Sequence, residues 1–175
     1  IGSLPVQNIE KLEIIKGPAS SAWGSSLGGV INIITKSGSE GGKRGTVSAS
    51  YGEKNTGDFR VETSGKETRF GYHVNAGRLQ TDGFRPHNDF SGNNAYAKLT
   101  YDVTKDTRLL FTMGHDKLSR GVVEVPSGPV PYFENNSQET FRWSVAADSS
   151  INNETGVNIS FWQMRQTYNF TLYES

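Results

Sequence analysis

Three features of the sequence predict a mainly β protein, in which a run of antiparallel strands follows a smaller mixed α/β unit. From residue 44 onward, apolar and polar side chains alternate with the two-residue period of a strand in about seven segments. The connections between these segments alternate between tight and long. Ahead of them, Ile9 to Lys36 reads as two short apolar strands around a turn of small residues.

The first of these strands is Glu10 to Lys16, rich in Leu and Ile. Gly17-Pro18 ends it, because Pro18 has no N–H for a ladder and its ring disfavours a helical Gly17. Pro18 suits the first position of a short helix, Ala19 to Trp23, which Gly24 would close in a left-handed conformation. Gly28-Gly29 restarts the extended chain, and a Cβ at either position is expected to disturb the turn. Val30, Ile31, Ile33 and Ile34 then form a nearly continuous apolar strand, of the kind buried on both faces. The glycines do not make a phosphate loop. There is no G-x-G-x-x-G, and no Lys-Ser or Lys-Thr pair directly follows Gly29 to meet a phosphate.

Ser37 to Arg44 has the Gly-rich, polar composition of a flexible connector. Beyond it, Val47, Ala49 and Tyr51 share one face of a strand, as do Phe59 and Val61 in the next. Phe70, Tyr72, Val74 and Ala76 follow, with His73 and Asn75 opposite. The pattern repeats in Ala95, Ala97, Leu99 and Tyr101, then in Leu109, Phe111 and Met113, then in Phe141, Trp143, Val145 and Ala147. The last strand begins Val157, Ile159, Phe161. Its phase then shifts at Trp162 and Met164, which predicts either a bulge or, in a membrane strand, the rise above the bilayer.

Tight turns are expected at Gly65 to Glu67, Thr104 to Asp106 and Asn152 to Glu154. Between them lie a short connection, Glu53 to Gly57, and two long ones, Asp82 to Asn94 and Arg120 to Gln138. Such asymmetry suits a barrel with one short-turned and one long-looped rim. A soluble sandwich also alternates, so the pattern alone leaves both architectures open.

Composition narrows the function classes. The chain has 175 residues, no cysteine and a formal net charge of zero. Without cysteine there is no disulfide or thiolate–metal chemistry. A balanced charge offers no basic stripe for phosphates, which argues against a nucleic-acid partner. No apolar run is long enough for a membrane helix, but a barrel alternates and escapes that test.

The stretch Ile9-Glu10, Leu12-Glu13, Lys16-Gly17-Pro18, Trp23-Gly24, Gly28-Gly29-Val30-Ile31-Asn32-Ile33 and Thr35-Lys36 resembles the end of the plug domain of TonB-dependent outer-membrane receptors. It departs from that pattern in Ser25-Ser26-Leu27, one residue short of the usual spacing. The resemblance implies that residues 1–43 are the C-terminal part of the plug with its linker. It implies equally that residues 44–175 are the first strands of a transmembrane β-barrel that closes with about 22. Earlier plug strands and a TonB-contacting segment would then precede Ile1. The implied function is active uptake of a metal chelate, a ferric siderophore or cobalamin, across a bacterial outer membrane, with TonB and membrane lipid as partners. On this reading the tight turns face the periplasm.

Catalysis has no support, since His73, His87 and His115 are scattered and neither H-E-x-x-H nor G-x-S-x-G occurs. The ligand-contacting candidates are Ser25 and Ser26 in the plug turn, Arg85, His87 and Asn88 in one long loop, and Tyr132 and Phe133 in the other. Lys16, Gly17, Pro18, Trp23, Gly24, Gly28, Gly29 and Asn32 are expected to shape the plug. No cofactor is expected beyond a possible structural calcium, for which Asp82 and Asp89 are the candidate oxygen ligands. The competing function class is a soluble antiparallel binding module, for example for carbohydrate, with Trp143 and Trp162 as stacking platforms.

Overall fold

The computed structural model describes residues 8–17, 28–38, 42–123, 132–152 and 155–174. The chain divides into two units, Ile1–Lys36 and Ser37–Ser175. The expected helix Ala19 to Trp23 lies outside the described residues, as do Pro18, Gly24, Ser25, Ser26, residues 124–131 and residues 153–154.

In the first unit, β1 (Ile9–Lys16) and β2 (Gly29–Thr35) form an antiparallel two-stranded sheet. The strand boundaries follow the sequence signals. Gly17, at φ 92°, ends β1 in a conformation that suits glycine. Burial is lighter than the apolar run of β2 suggests: Ile31 is 57% exposed, and Val30, Ile33 and Ile34 are only half-buried. A two-stranded ribbon cannot by itself cover both faces of its strands. The two glycines behave differently. A Cβ on Gly29, at φ 118°, would collide with the Ile15 carbonyl oxygen, whereas one on Gly28 would meet open space. Close approach thus requires glycine at Gly29 and not, as expected, at Gly28. Gly29→Val should cost more than about 1 kcal/mol of hairpin stability, and Gly28→Ala little; thermal melts of the full-length protein check both.

The second unit is one seven-stranded antiparallel sheet in simple sequence order. Its strands are β3 (Arg44–Gly52), β4 (Thr56–Glu67), β5 (Phe70–Thr81), β6 (Phe90–Asp102), β7 (Thr107–Val123), β8 (Tyr132–Ser150) and β9 (Gly156–Glu174). Each pairs only with its sequence neighbours, so the sheet is open at β3 and β9. The strands lengthen along the chain, from 9 residues in β3 to 19 in β8 and β9.

Four expectations are corrected here. The turn between β4 and β5 is Thr68-Arg69, not Gly65 to Glu67, since Glu67 pairs with Phe70 and Thr68 takes φ 52°. Gly65 serves packing instead: its Cβ would press on the Tyr72 ring opposite at 3.0 Å. The two long connections shrink because their flanks are strand. Phe90 to Asn94 belongs to β6, and Arg120 to Val123 and Tyr132 to Gln138 belong to β7 and β8, leaving 82–89 and 124–131. There is no bulge at Trp162, because β9 stays in register with β8 from Gly156 to Glu174. Asymmetric connection lengths survive these changes. Thr68-Arg69, 103–106 and 151–155 lie at one end, and 53–55, 82–89 and 124–131 at the other.

Candidate functional site

Register assigns every strand residue of the second unit to one of two faces. Reading across the ladders, Tyr72, Leu99, Phe111, Val145 and Phe161 form one row, and Phe70, Tyr101, Leu109, Ala147 and Ile159 the next. From β5 to β9 neither row contains a charge, and on β4 the second row begins at Glu67. These residues are substantially open to their surroundings, Val145 at 44%, Phe161 at 65% and Ile159 at 69%. Trp143 and Phe161 rings meet at 5.4 Å on this face. An apolar face of this extent in direct contact with water would be an aggregation liability.

The apolar band does not follow the rows but crosses them. On β3 it is centred on Ala49, whose row passes through Phe59, Arg78, Asn93, Lys117 and Glu139 to reach Thr167 on β9. On β9 it is centred on Ile159, eight positions from Thr167. With a rise of about 3.3 Å per residue and about 4.8 Å between strands, that displacement over six strand-to-strand steps is a tilt of about 40°. The band thus runs obliquely to the strands, at an angle within the range of strand tilts found in membrane barrels.

The opposite face is polar and hydrogen-bonded. One row carries Asn94, Asp116, Thr140 and Gln166, and the adjacent row Asn75, Tyr96, Gly114, Arg142 and Met164. His73, Asn75, Tyr96, Asp116 and Thr140 are buried. Asn75 Nδ2 stands 3.0 Å from His73 Nε2, and Thr140 Oγ1 accepts from Gln138 and Gln166 at 3.3 and 3.2 Å. Arg142 donates to Asp116 by crossing Gly114, where any Cβ would strike its guanidinium. Thr112 and Ser144 hydroxyls pair at 2.6 Å.

The loop 82–89 holds Asp82, Arg85, His87, Asn88 and Asp89, all exposed. Two glycines make it compact. Gly83 has φ 74° and packs where a Cβ would collide with the Asn88 carbonyl, and Gly121 on β7 leaves room for the His87 carbonyl. Gly121 N–H donates to Asp89 O at 2.9 Å, and Asp82 N–H to Lys54 O at 2.8 Å. Arg85, His87 and Asn88 all stand on this one compact loop. Among the described residues no three His, Cys, Asp or Glu side chains form a group that could hold a metal ion, and Asp82 and Asp89 gain no third partner. Tyr132 and Phe133 open β8 instead of lying in a loop.

In β1 and β2, Asn32 donates to Glu13 Oε2 at 3.0 Å across its own cross-strand pair, while Lys11 donates to Oε1 at 2.7 Å. The Lys11 bond, then the Asn32 bond, lower the Glu13 pKa below the usual carboxylate range. Any stability this adds is present above the unfolded carboxylate's pKa and is lost as pH falls through the folded one.

Trp143 and Trp162 lie on opposite faces, since Trp143 pairs with Gln163 and Trp162 with Ser144. They cannot form one stacking platform. Sequence reasoning missed the Asp116–Arg142 pair and the glutamines on Thr140. The available signal was their position off the apolar phase of their strands.

Fold and faces together define an open antiparallel sheet with one apolar and one polar face. Comparison with known proteins points the same way. The chain is 28% identical over 157 residues to the ferrienterobactin receptor of Escherichia coli K12, an alignment covering 87% of this chain and 19% of the receptor. It is 58% identical over 33 residues to the iron-regulated outer membrane virulence protein of Vibrio cholerae, covering 18% of this chain and 5% of that protein. The chain therefore spans about a fifth of the length of the first of these relatives. No protein-family model matches it.

Proposed function

We propose that this chain is part of a TonB-dependent receptor of a Gram-negative outer membrane, a transporter and not an enzyme, which takes up an iron chelate. Residues 1–43 form the end of its plug and residues 44–175 the first strands of its barrel. The carrying observation is the oblique, charge-free band across β3 to β9, which fits tilted strands in a bilayer. The names of the relatives favour a ferric siderophore over cobalamin.

The polar face fits this role. Thr140, Asn75, Asp116 and Arg142 already exchange hydrogen bonds among side chains, and water can substitute for many such contacts at little cost. Loop 82–89 presents Arg85 and His87 at the outer rim, where a cationic side chain suits an anionic chelate.

The test is uptake of radiolabelled ferric siderophore by iron-starved cells with the gene deleted or restored. Uptake should fall on deletion, return with the full-length gene, and stop when the proton gradient is collapsed. Uptake that ignores both deletion and the gradient would contradict the proposal.

A further inference from the structure

The apolar face has a basic margin at one edge only. Beyond the row of Val74, Ala97, Met113, Trp143 and Gln163, His115, Phe141 and Arg165 share one row, and Arg78, Asn93, Lys117, Glu139 and Thr167 the next. This margin lies toward the end with connections 82–89 and 124–131. The other edge carries Thr107, Ser149 and Val157. His115, Glu139, Phe141, Arg165 and Thr167 line a shallow groove of about 390 Å³ on this margin. Within it the acid is Glu139, which accepts from His115 Nε2 at 2.9 Å. Lys117 on β7 and Arg165 on β9 are exposed and flank β8 on either side. Their backbones are two strand spacings and two residues apart, about 12 Å, so both long side chains can reach one anion.

We propose that Lys117 and Arg165 bind the phosphate-bearing headgroup of a lipid in the outer leaflet, its acyl chains lying along Phe141, Met113 and Trp143. The inference rests on the membrane-spanning reading of the sheet. Charge complementarity and continuity of the groove with the apolar band select this occupant. Arginine and lysine at a membrane margin are suited to it, since the guanidinium makes paired bonds to phosphate and the long stems cover apolar surface.

The experiment uses the full-length receptor in mild detergent, titrated with phosphatidylglycerol, with phosphatidylcholine and with inorganic phosphate. Wild type should prefer phosphatidylglycerol. Lys117→Gln with Arg165→Gln should weaken that binding roughly thirtyfold while leaving phosphatidylcholine unchanged. Glu139→Gln should tighten it. Equal binding by wild type and the double variant overturns the site, and competition by inorganic phosphate at matching concentration overturns the lipid as its occupant. The double variant should still need detergent and show heat-modifiable mobility. A receptor soluble without detergent would instead overturn the membrane reading itself, which separates the two failures.

Discussion

Replacing Val145 by arginine should cost about 2 to 4 kcal/mol of folding stability in a bilayer, while arginine at the adjacent Ser144 should be tolerated far better. Val145 sits in a row between Phe111 and Phe161, so on the proposed membrane-spanning reading its side chain meets apolar neighbours and lipid. Ser144 is on the other face. Its hydroxyl pairs with Thr112, and losing that bond should cost about 0.5 to 1.5 kcal/mol. Urea-dependent refolding of the full-length receptor into lipid vesicles, read by heat-modifiable mobility, measures both variants. Equal effects would show that the two faces are wrongly assigned.

A loss of about 3 to 5 kcal/mol is expected for Arg142→Met, because it strands a buried carboxylate. Asp116 is only 4% exposed, and Arg142 is the cation that reaches it. Combining Arg142→Met with Asp116→Leu should recover most of the loss, since removing both charges leaves nothing unpaired. Gly114→Val should act like Arg142→Met, because the guanidinium passes over Gly114 and a side chain there would displace it. A double-mutant cycle on the same refolding assay supplies the coupling. If the single and double variants are equally destabilised, the pair does not stabilise the sheet.

The two faces were legible in the sequence because the period of a strand is two and because Phe70 to Ala76, Ala95 to Tyr101 and Phe141 to Ala147 hold their phase. Strand ends were not. Lys117 to Val123 and Asn135 to Thr140 are polar or mixed, so periodicity falls silent where β7 and β8 run beyond the apolar band. The apparent bulge at Trp162 has the same origin. Above the band β9 carries Trp162, Met164, Tyr168 and Phe170 on the polar face, and the apolar phase changes while the register does not. Gly65 misled because a glycine reads alike whether it makes a turn or receives an aromatic ring. The Asp116–Arg142 pair needed register across the connection 124–131, which no local pattern fixes. In the loop 82–89, by contrast, Arg85, His87 and Asn88 are close in sequence, and chain connectivity alone brings them together.

On the proposed function this sheet crosses the outer membrane with its tight turns inside. Lys105 stands in the turn 103–106, its side chain 90% exposed, and Phe84 in the loop 82–89, 78% exposed, at opposite ends of the strands. The chain has no cysteine, so Lys105→Cys and Phe84→Cys each place one thiol in this segment, to be read in a full-length receptor free of other accessible thiols. In intact cells a membrane-impermeant maleimide too large for porins should label Phe84→Cys, and label Lys105→Cys only after the outer membrane is opened. Labelling of Lys105→Cys in intact cells with Phe84→Cys protected would invert the topology, and equal labelling of both would contradict a membrane-spanning sheet.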